Sequence, residues 1–517
     1  MEATDTDAVW VGIDLGTQSV RTVIADDRGR VLGLGSAPLD SRRVGTAVRQ
    51  HEQDPHQWWD AAGVASRQAF AELRKGTFTW RTGGSGIGAR RTEKVGGVAI
   101  CSTSGTVLLA DDRGAPLTPA LMYDDARAAD ELTRIHDRAD VPGSSAIQLS
   151  WALPKIGWLL RHHTITGRST IHAAHSADTI AASLVGHRVS TDTSHALKSG
   201  YDVVGDRWNS TLTDAAGIDI SMLPDVVRPG TVLGAVTPSA AAHTGIPHGT
   251  PVVAGMTDGC AAQIAAGALA PGAWNSVLGT TLVLKGVTEK LVDDPDGAVY
   301  SHRHPDGGWL PGGASNVGAG MVAEEFGEHD LDALASAARA HEPAGAVIYP
   351  LTAHGERFPF VRPDAERFEV GNLRGPADRY AAILQGVAFV ERLCFERLAA
   401  IGADISGQIS VTGGATRSDY WNQLRADVLG RRLVLPATAE PSFGMAVLAS
   451  ARQDSVAARA ARMVSRRGVV EPRPDGGERL ASGYERFIAE LAARGYISET
   501  FTTGGKVHAT TIRGTDE

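Results

Sequence analysis

The sequence predicts an α/β protein that carries two copies of one module. Three observations lead there. Residues 8–13, 20–24 and 31–34 are short β-prone runs joined by the turns 14–19 and 26–29, which reads as a β-meander. The same pattern returns at 274–278 and 282–284, with Leu278-Gly279-Thr280 matching Leu15-Gly16-Thr17 between the runs. Residues 408–412, the pair Gly413-Gly414 and residues 418–429 then read as strand, turn and helix, a unit that aims backbone N–H groups at a phosphate.

The remaining elements follow in order. Residues 54–73 place Trp58, Trp59, Ala62, Val64, Ala65, Ala69 and Phe70 at the spacing of an amphipathic helix. Residues 95–101 form a buried strand that runs into the small polar stretch 102–106. Residues 377–400 form a core helix, with Ala382, Leu384, Val387, Ala388, Val390 and Leu393 on its apolar face. From Gly476 onward, and above all from Thr502, the chain is polar and is expected to be frayed. Length alone suggests about three domains. The repeat reduces this to two, at 9–255 and 256–490, followed by a tail at 491–517.

Composition excludes several classes. The chain has 517 residues and a formal net charge of −9, which is not the electrostatic footprint of a general nucleic-acid binder. Only seven of its 50 basic residues are lysines, a skew that reflects genomic base composition rather than a nucleic-acid surface. Its three cysteines (Cys101, Cys260, Cys394) lie far apart, so neither a disulfide framework nor a zinc site is expected. The acidic N-terminus lacks the apolar run of a signal peptide. The most apolar window, 251–274, is broken by Asp258 and Gln263, so no membrane span is expected and the protein reads as cytoplasmic. Its 60 glycines exceed the usual share of roughly 7% and mark tight turns or close backbone approaches to a ligand.

Four segments could carry chemistry. Asp14-Leu15-Gly16-Thr17 sets a carboxylate, bare backbone N–H groups and a hydroxyl at a strand end, as a phosphate with Mg²⁺ requires. Gly255-Met256-Thr257-Asp258-Gly259 holds an acid on a glycine-flanked turn, where it can serve as a general base or cap the next helix. Residues 150–162, with Trp151, Lys155 and Trp158, read first as a helix start packing on a core. Residues 412–423 expose two glycines against which an adenine or phosphate can lie, with Trp421 nearby. Each segment also has a plain structural reading as a turn, a cap or a helix start.

Taken together and in order, these motifs resemble those of the FGGY carbohydrate kinases, over about residues 9 to 450. The segment at Lys155 is similar to a family signature, with Ala152 where Pro, Ser or Thr is usual. The resemblance implies two ribonuclease H-like domains of the actin-like ATPase fold with an ATP cleft between them. It implies Asp258 as the catalytic base, also touching substrate, and Asp14 as the Mg²⁺ residue. It further implies Gly16, Thr17, Gly279, Thr280 and Thr281 on the phosphates. Gly413, Gly414, Ser418 and Trp421 would lie on the adenosine, with Ser418 where relatives often carry Asn. Ser104, Gly105 and Asp124 fall in the sugar pocket by motif position.

Residues 103–109, 121–127, 195–202, 278–285, 299–302 and 312–316 resemble more narrowly the D-ribulokinase branch of cyanobacteria and plants. Thr103-Ser104-Gly105 stands where xylulokinases usually carry Met-His-Gly, which removes an imidazole from the sugar pocket. The implied reaction is ATP-dependent phosphorylation of a ketopentose at its terminal hydroxyl, D-ribulose first and D-xylulose or another polyol as alternatives. The implied partners are the sugar, ATP and Mg²⁺, with a homodimer and without nucleic acid or membrane. An actin-like or chaperone-like ATPase without sugar substrate is the reading from another class. A catalytically idle sugar-binding regulator is disfavoured by the retention of both Asp14 and Asp258.

Overall fold

Strand β1 (Ala8–Leu15) is central because both of its faces are apolar or small, with Val9, Val11, Ile13 and Leu15 buried and Gly12 between them. The computed structural model describes residues 8–44, 49–76, 94–138, 147–164 and 170–498. The expected tail from Thr502 lies outside them. The chain divides into two compact units. The first comprises Met1–Ala270, Ser301–Leu310 and Pro436–Arg467, and the second Pro271–Tyr300, Pro311–Leu435 and Gly468–Glu517.

In the first unit, β1, β2 (Ser19–Asp26), β3 (Val31–Pro38), β4 (Lys94–Ser102), β5 (Val232–Ala235) and β6 (Pro251–Val253) form one sheet in the order β3-β2-β1-β4-β6-β5. The first three strands form the antiparallel meander read from the sequence. β4 joins β1, and β6 joins β4, in parallel. The helix Pro55–Lys75 starts at Asp54, whose side chain accepts the His56 N–H at 3.0 Å, and it lays Ala65 and Ala69 on β3.

The second unit repeats this plan. β7 (Trp274–Leu278), β8 (Leu282–Gly286), β9 (Trp309–Ser315), β10 (Ile409–Thr412) and β11 (Leu433–Pro436) are ordered β9-β8-β7-β10-β11 within a larger sheet. β7 and β8, and β8 and β9, are antiparallel, whereas β7 and β10, and β10 and β11, are parallel. The three-residue Leu-Gly-Thr match therefore reports a true duplication. The long helix Pro376–Ala400 runs through the core of this unit, as its apolar spacing requires.

Two sequence expectations change. The division at 255/256 differs from the observed one, because the helix Asp258–Ala265 stays with the first unit. Its partner there is the helix Pro441–Ser450, which returns from late in the chain. A Cβ on Gly444 would lie 2.0 Å from the Ala261 carbonyl oxygen, and one on Gly12 would lie 1.8 Å from that of Ser442. Bare glycines thus let this helix touch both β1 and its neighbouring helix. Gly444→Ala is expected to force the helices apart at a cost of about 1–3 kcal/mol, read as a lower thermal midpoint.

The second change concerns the segment from Gly476, which is not frayed. Gly476–Ala493 is a helix whose Leu480, Tyr484, Phe487 and Leu491 are buried at helical spacing against the second core. Its polar composition hid this stripe. Among the described residues, no helix is long and apolar enough to cross a membrane.

Candidate active site

The first unit gathers its chemistry at the C-terminal ends of β1, β4 and β6, the edge where open α/β sheets bind ligands. Asp14 ends β1 with 7% of its surface exposed. Burial, and then the negative charge of Asp258, push its pKa up to about 7. Cys101 faces it from β4, with Sγ 3.5 Å from Asp14 Oδ1. The turn after β1 closes by a bond from Gly16 N–H to the Ser19 carbonyl at 3.1 Å, and Gln53 Nε2 donates to the Thr17 carbonyl at 2.7 Å.

Asp258 occupies the first position of the helix Asp258–Ala265, and Thr257 is the residue at its cap. The structural alternative for Asp258, a helix cap, is therefore not what the chain uses. Its Oδ1 instead accepts the Gly259 N–H at 2.7 Å. The Thr257 backbone bridges in parallel to Ser102, the last residue of β4. Burial, Asp124 and Asp258 raise the pKa of the Tyr123 phenol, which lies near the Thr17 side chain. Asp14, Thr17, Asp124 and Asp258 thus belong to one neighbourhood.

Ser104 and Gly105 lie on the exit of β4 beside this cluster. The Ser104 hydroxyl oxygen is buried and has no hydrogen-bond partner. Gly105 has φ +87°, and a Cβ there would come within 2.3 Å of the Ser150 carbonyl oxygen. Asp124 Oδ1 lies 2.5 Å from His51 Nδ1, and Asp125 Oδ2 accepts the His51 N–H at 2.7 Å. Lys155 confirms the structural reading of its segment. Its Nζ donates to the Leu149 and Trp151 carbonyls, both at 2.9 Å, at the start of the helix Ala152–His162. Burial, with Lys198 nearby, lowers its pKa to about 7.

In the second unit the same edge carries the glycine turns. A Cβ on Gly413, where φ is +91°, would lie 2.4 Å from the Leu278 carbonyl oxygen. The Gly413-Gly414 turn therefore packs directly on the strand that leads to Gly279, Thr280 and Thr281. A Cβ at Gly414 would meet nothing within 4 Å, so its backbone borders open space. Ser418 caps the helix Asp419–Leu429 by accepting the Trp421 N–H at 3.2 Å. Trp421 itself is 3% exposed and belongs to the hydrophobic core, with Nε1 buried and unpartnered. The ring packs the core, so the open face of this segment is the glycine turn.

Sequence reasoning passed over a buried polar network behind Thr257. Ser194 Oγ accepts the Thr257 N–H at 2.9 Å and donates to Asp192 Oδ1 at 2.5 Å. Asp192 also accepts from His195 Nδ1, and His195 Nε2 lies 2.9 Å from Ser102 Oγ. Burial disfavours the charged imidazole, but Asp192 outweighs it and raises the His195 pKa. The local signal was slight: an Asp at a helix cap with a His three residues on.

A duplicated sheet with one unit holding a buried carboxylate beside a second acid and the other a bare glycine turn is the equipment of a phosphotransferase with the actin-like ATPase fold. Residues 9–265 match the N-terminal domain, and residues 274–452 the C-terminal domain, of the FGGY family of carbohydrate kinases. The chain belongs to this family and is an ATP-dependent sugar kinase. It is 27% identical to the xylulose kinase of Escherichia coli over 85% of this chain and 89% of that one. It is 29% identical to the xylulose kinase of Streptomyces rubiginosus over 83% of this chain and 85% of that one. The crystal structure of xylulose kinase from Rhodospirillum rubrum matches with a TM-score of 0.79 and 26% identity, over 94% and 98% of the two chains.

Proposed function

We propose that the acceptor is a ketopentose, D-ribulose before D-xylulose, phosphorylated at its terminal hydroxyl. The observation that carries the choice is the Ser104 hydroxyl, buried and unpartnered on the β4 exit. It offers a small donor and acceptor where the xylulokinase pattern has an imidazole. The wider resemblance to the D-ribulokinase branch points the same way. D-Xylulose remains the second reading because the relatives named above are xylulose kinases.

Asp258 is assigned as general base. It takes the proton of the sugar hydroxyl as that oxygen bonds to the γ-phosphorus and the bond to the ADP oxygen breaks. Positioning and charge neutralisation supply most of the catalysis in such transfers. The Gly279–Thr281 and Gly413-Gly414 turns supply backbone N–H groups and hydroxyls to ATP, and the Thr17 turn offers the same groups to a phosphate.

Asp14 fits a Mg²⁺ ion. Two carboxylates, one buried enough to titrate near 7, are relieved of their repulsion by a cation. Among the described residues there is no cluster of three or more metal-ligating side chains. This agrees with the habit of Mg²⁺ of taking one or two carboxylates and completing its shell with phosphate and water. Once bound, the ion would neutralise phosphate charge.

The test is a panel of D-ribulose, D-xylulose, L-ribulose and glycerol, read by ADP release with and without Mg²⁺. D-Ribulose is expected to give a kcat/KM at least about tenfold above the others, the effect of some 1.4 kcal/mol of differential transition-state binding. A higher value for D-xylulose would overturn the choice of sugar and leave the kinase assignment intact.

A further inference from the structure

The network behind Thr257 joins the two strand exits on which the proposed chemistry depends. At one end Ser194 Oγ holds the Thr257 N–H, one residue before Asp258. At the other, Ser102 Oγ meets His195 Nε2, two residues before Ser104. Asp192 stands between and accepts from Ser194 N, Ser194 Oγ, His195 N and His195 Nδ1.

Ser102 Oγ also accepts from Ala177 N at 3.1 Å and from Ser176 Oγ at 2.9 Å, so the β4 exit is held from three sides. On the other side of the ring, His195 Nδ1 directs its proton at Asp192.

Asp192, Ser194, His195 and Ser102 are all buried. Stability alone does not call for such a polar cluster, since apolar side chains of similar volume hold a core as well or better. What it offers is a fixed direction at each hydrogen bond and hence a fixed place for its two ends.

We propose that Asp192, Ser194 and His195 are positioning residues, which lock the Thr257–Asp258 turn to the β4 exit and so aim the Asp258 carboxylate at the sugar hydroxyl. This rests on the assignment of Asp258 as base. The Thr257 side chain makes no capping bond of its own, so the Ser194 hydroxyl supplies the side-chain anchor at this helix start.

The test compares Ser194→Ala, Ser194→Thr, Asp192→Asn and Asp258→Asn with the unaltered enzyme, using ATP and its better ketopentose. Loss of the anchor should lower kcat by about 10- to 100-fold, as expected for a reacting group displaced by up to an ångström. The KM for ATP and the circular dichroism spectrum should not change. Ser194→Thr keeps the hydroxyl and should restore kcat to within about threefold. The proposal is overturned if Ser194→Ala keeps kcat while Asp258→Asn is inactive, a result that leaves the base assignment standing. It is also overturned if Asp258→Asn is itself active, which removes the base assignment first. Should Asp192→Asn fail to fold, Ser194→Ala, a smaller change, decides alone.

Discussion

Asp258→Asn should lower sugar-dependent phosphoryl transfer by about 10²- to 10⁴-fold, the usual contribution of a general base. The substitution is conservative at this place. Asn keeps an oxygen to accept the Gly259 N–H, which Asp258 Oδ1 now takes at 2.7 Å. The cap position belongs to Thr257 and is not touched. The binding of ATP, followed by calorimetry, should stay within about twofold, because the loss concerns a proton transfer and not uniform binding. The substitution also removes the charge repulsion between Asp258 and Asp14, since a neutral side chain replaces the acid. Turnover near that of the unaltered enzyme would falsify the assignment.

Much of this site was legible because its signals are local. A Leu-Gly-Thr turn between two β-prone runs can be seen in a window of a dozen residues, and so can a strand that ends in Gly413-Gly414. The duplication followed from the first signal, and the sheet orders of the two units bear it out. What stayed hidden is non-local. Ser102 and His195 are 93 positions apart, and nothing near either one announces the other. The helix Pro441–Ser450 meets β1 through Gly12, a contact between the two ends of the chain. Trp421, expected beside the adenosine, sits on a helix that turns its ring into the core. The helix Gly476–Ala493 was missed because four buried side chains in eighteen residues are a thin stripe in a polar segment.

The largest expected loss of stability lies in the second unit, in Arg425→Met. Arg425 and Glu391 are both 0% exposed and form a two-pronged ion pair, with Arg425 Nε and Nη2 at 2.7 and 2.8 Å from the Glu391 oxygens. Ser276 of β7 joins them, donating to Glu391 Oε1 at 2.6 Å and accepting from Arg425 Nη2 at 2.9 Å. The pair therefore ties the long helix and the helix Asp419–Leu429 to the central strand of the sheet. Removing the guanidinium leaves a carboxylate buried with only a hydroxyl for company. Breaking such a pair from one side costs about 3–5 kcal/mol. The double variant Arg425→Met with Glu391→Leu removes both charges and should recover most of the loss, because apolar side chains then fill the same volume. Thermal denaturation of the single and double variants reads both effects. A single variant as stable as the unaltered protein would show that the charges are not what holds these helices to the strand.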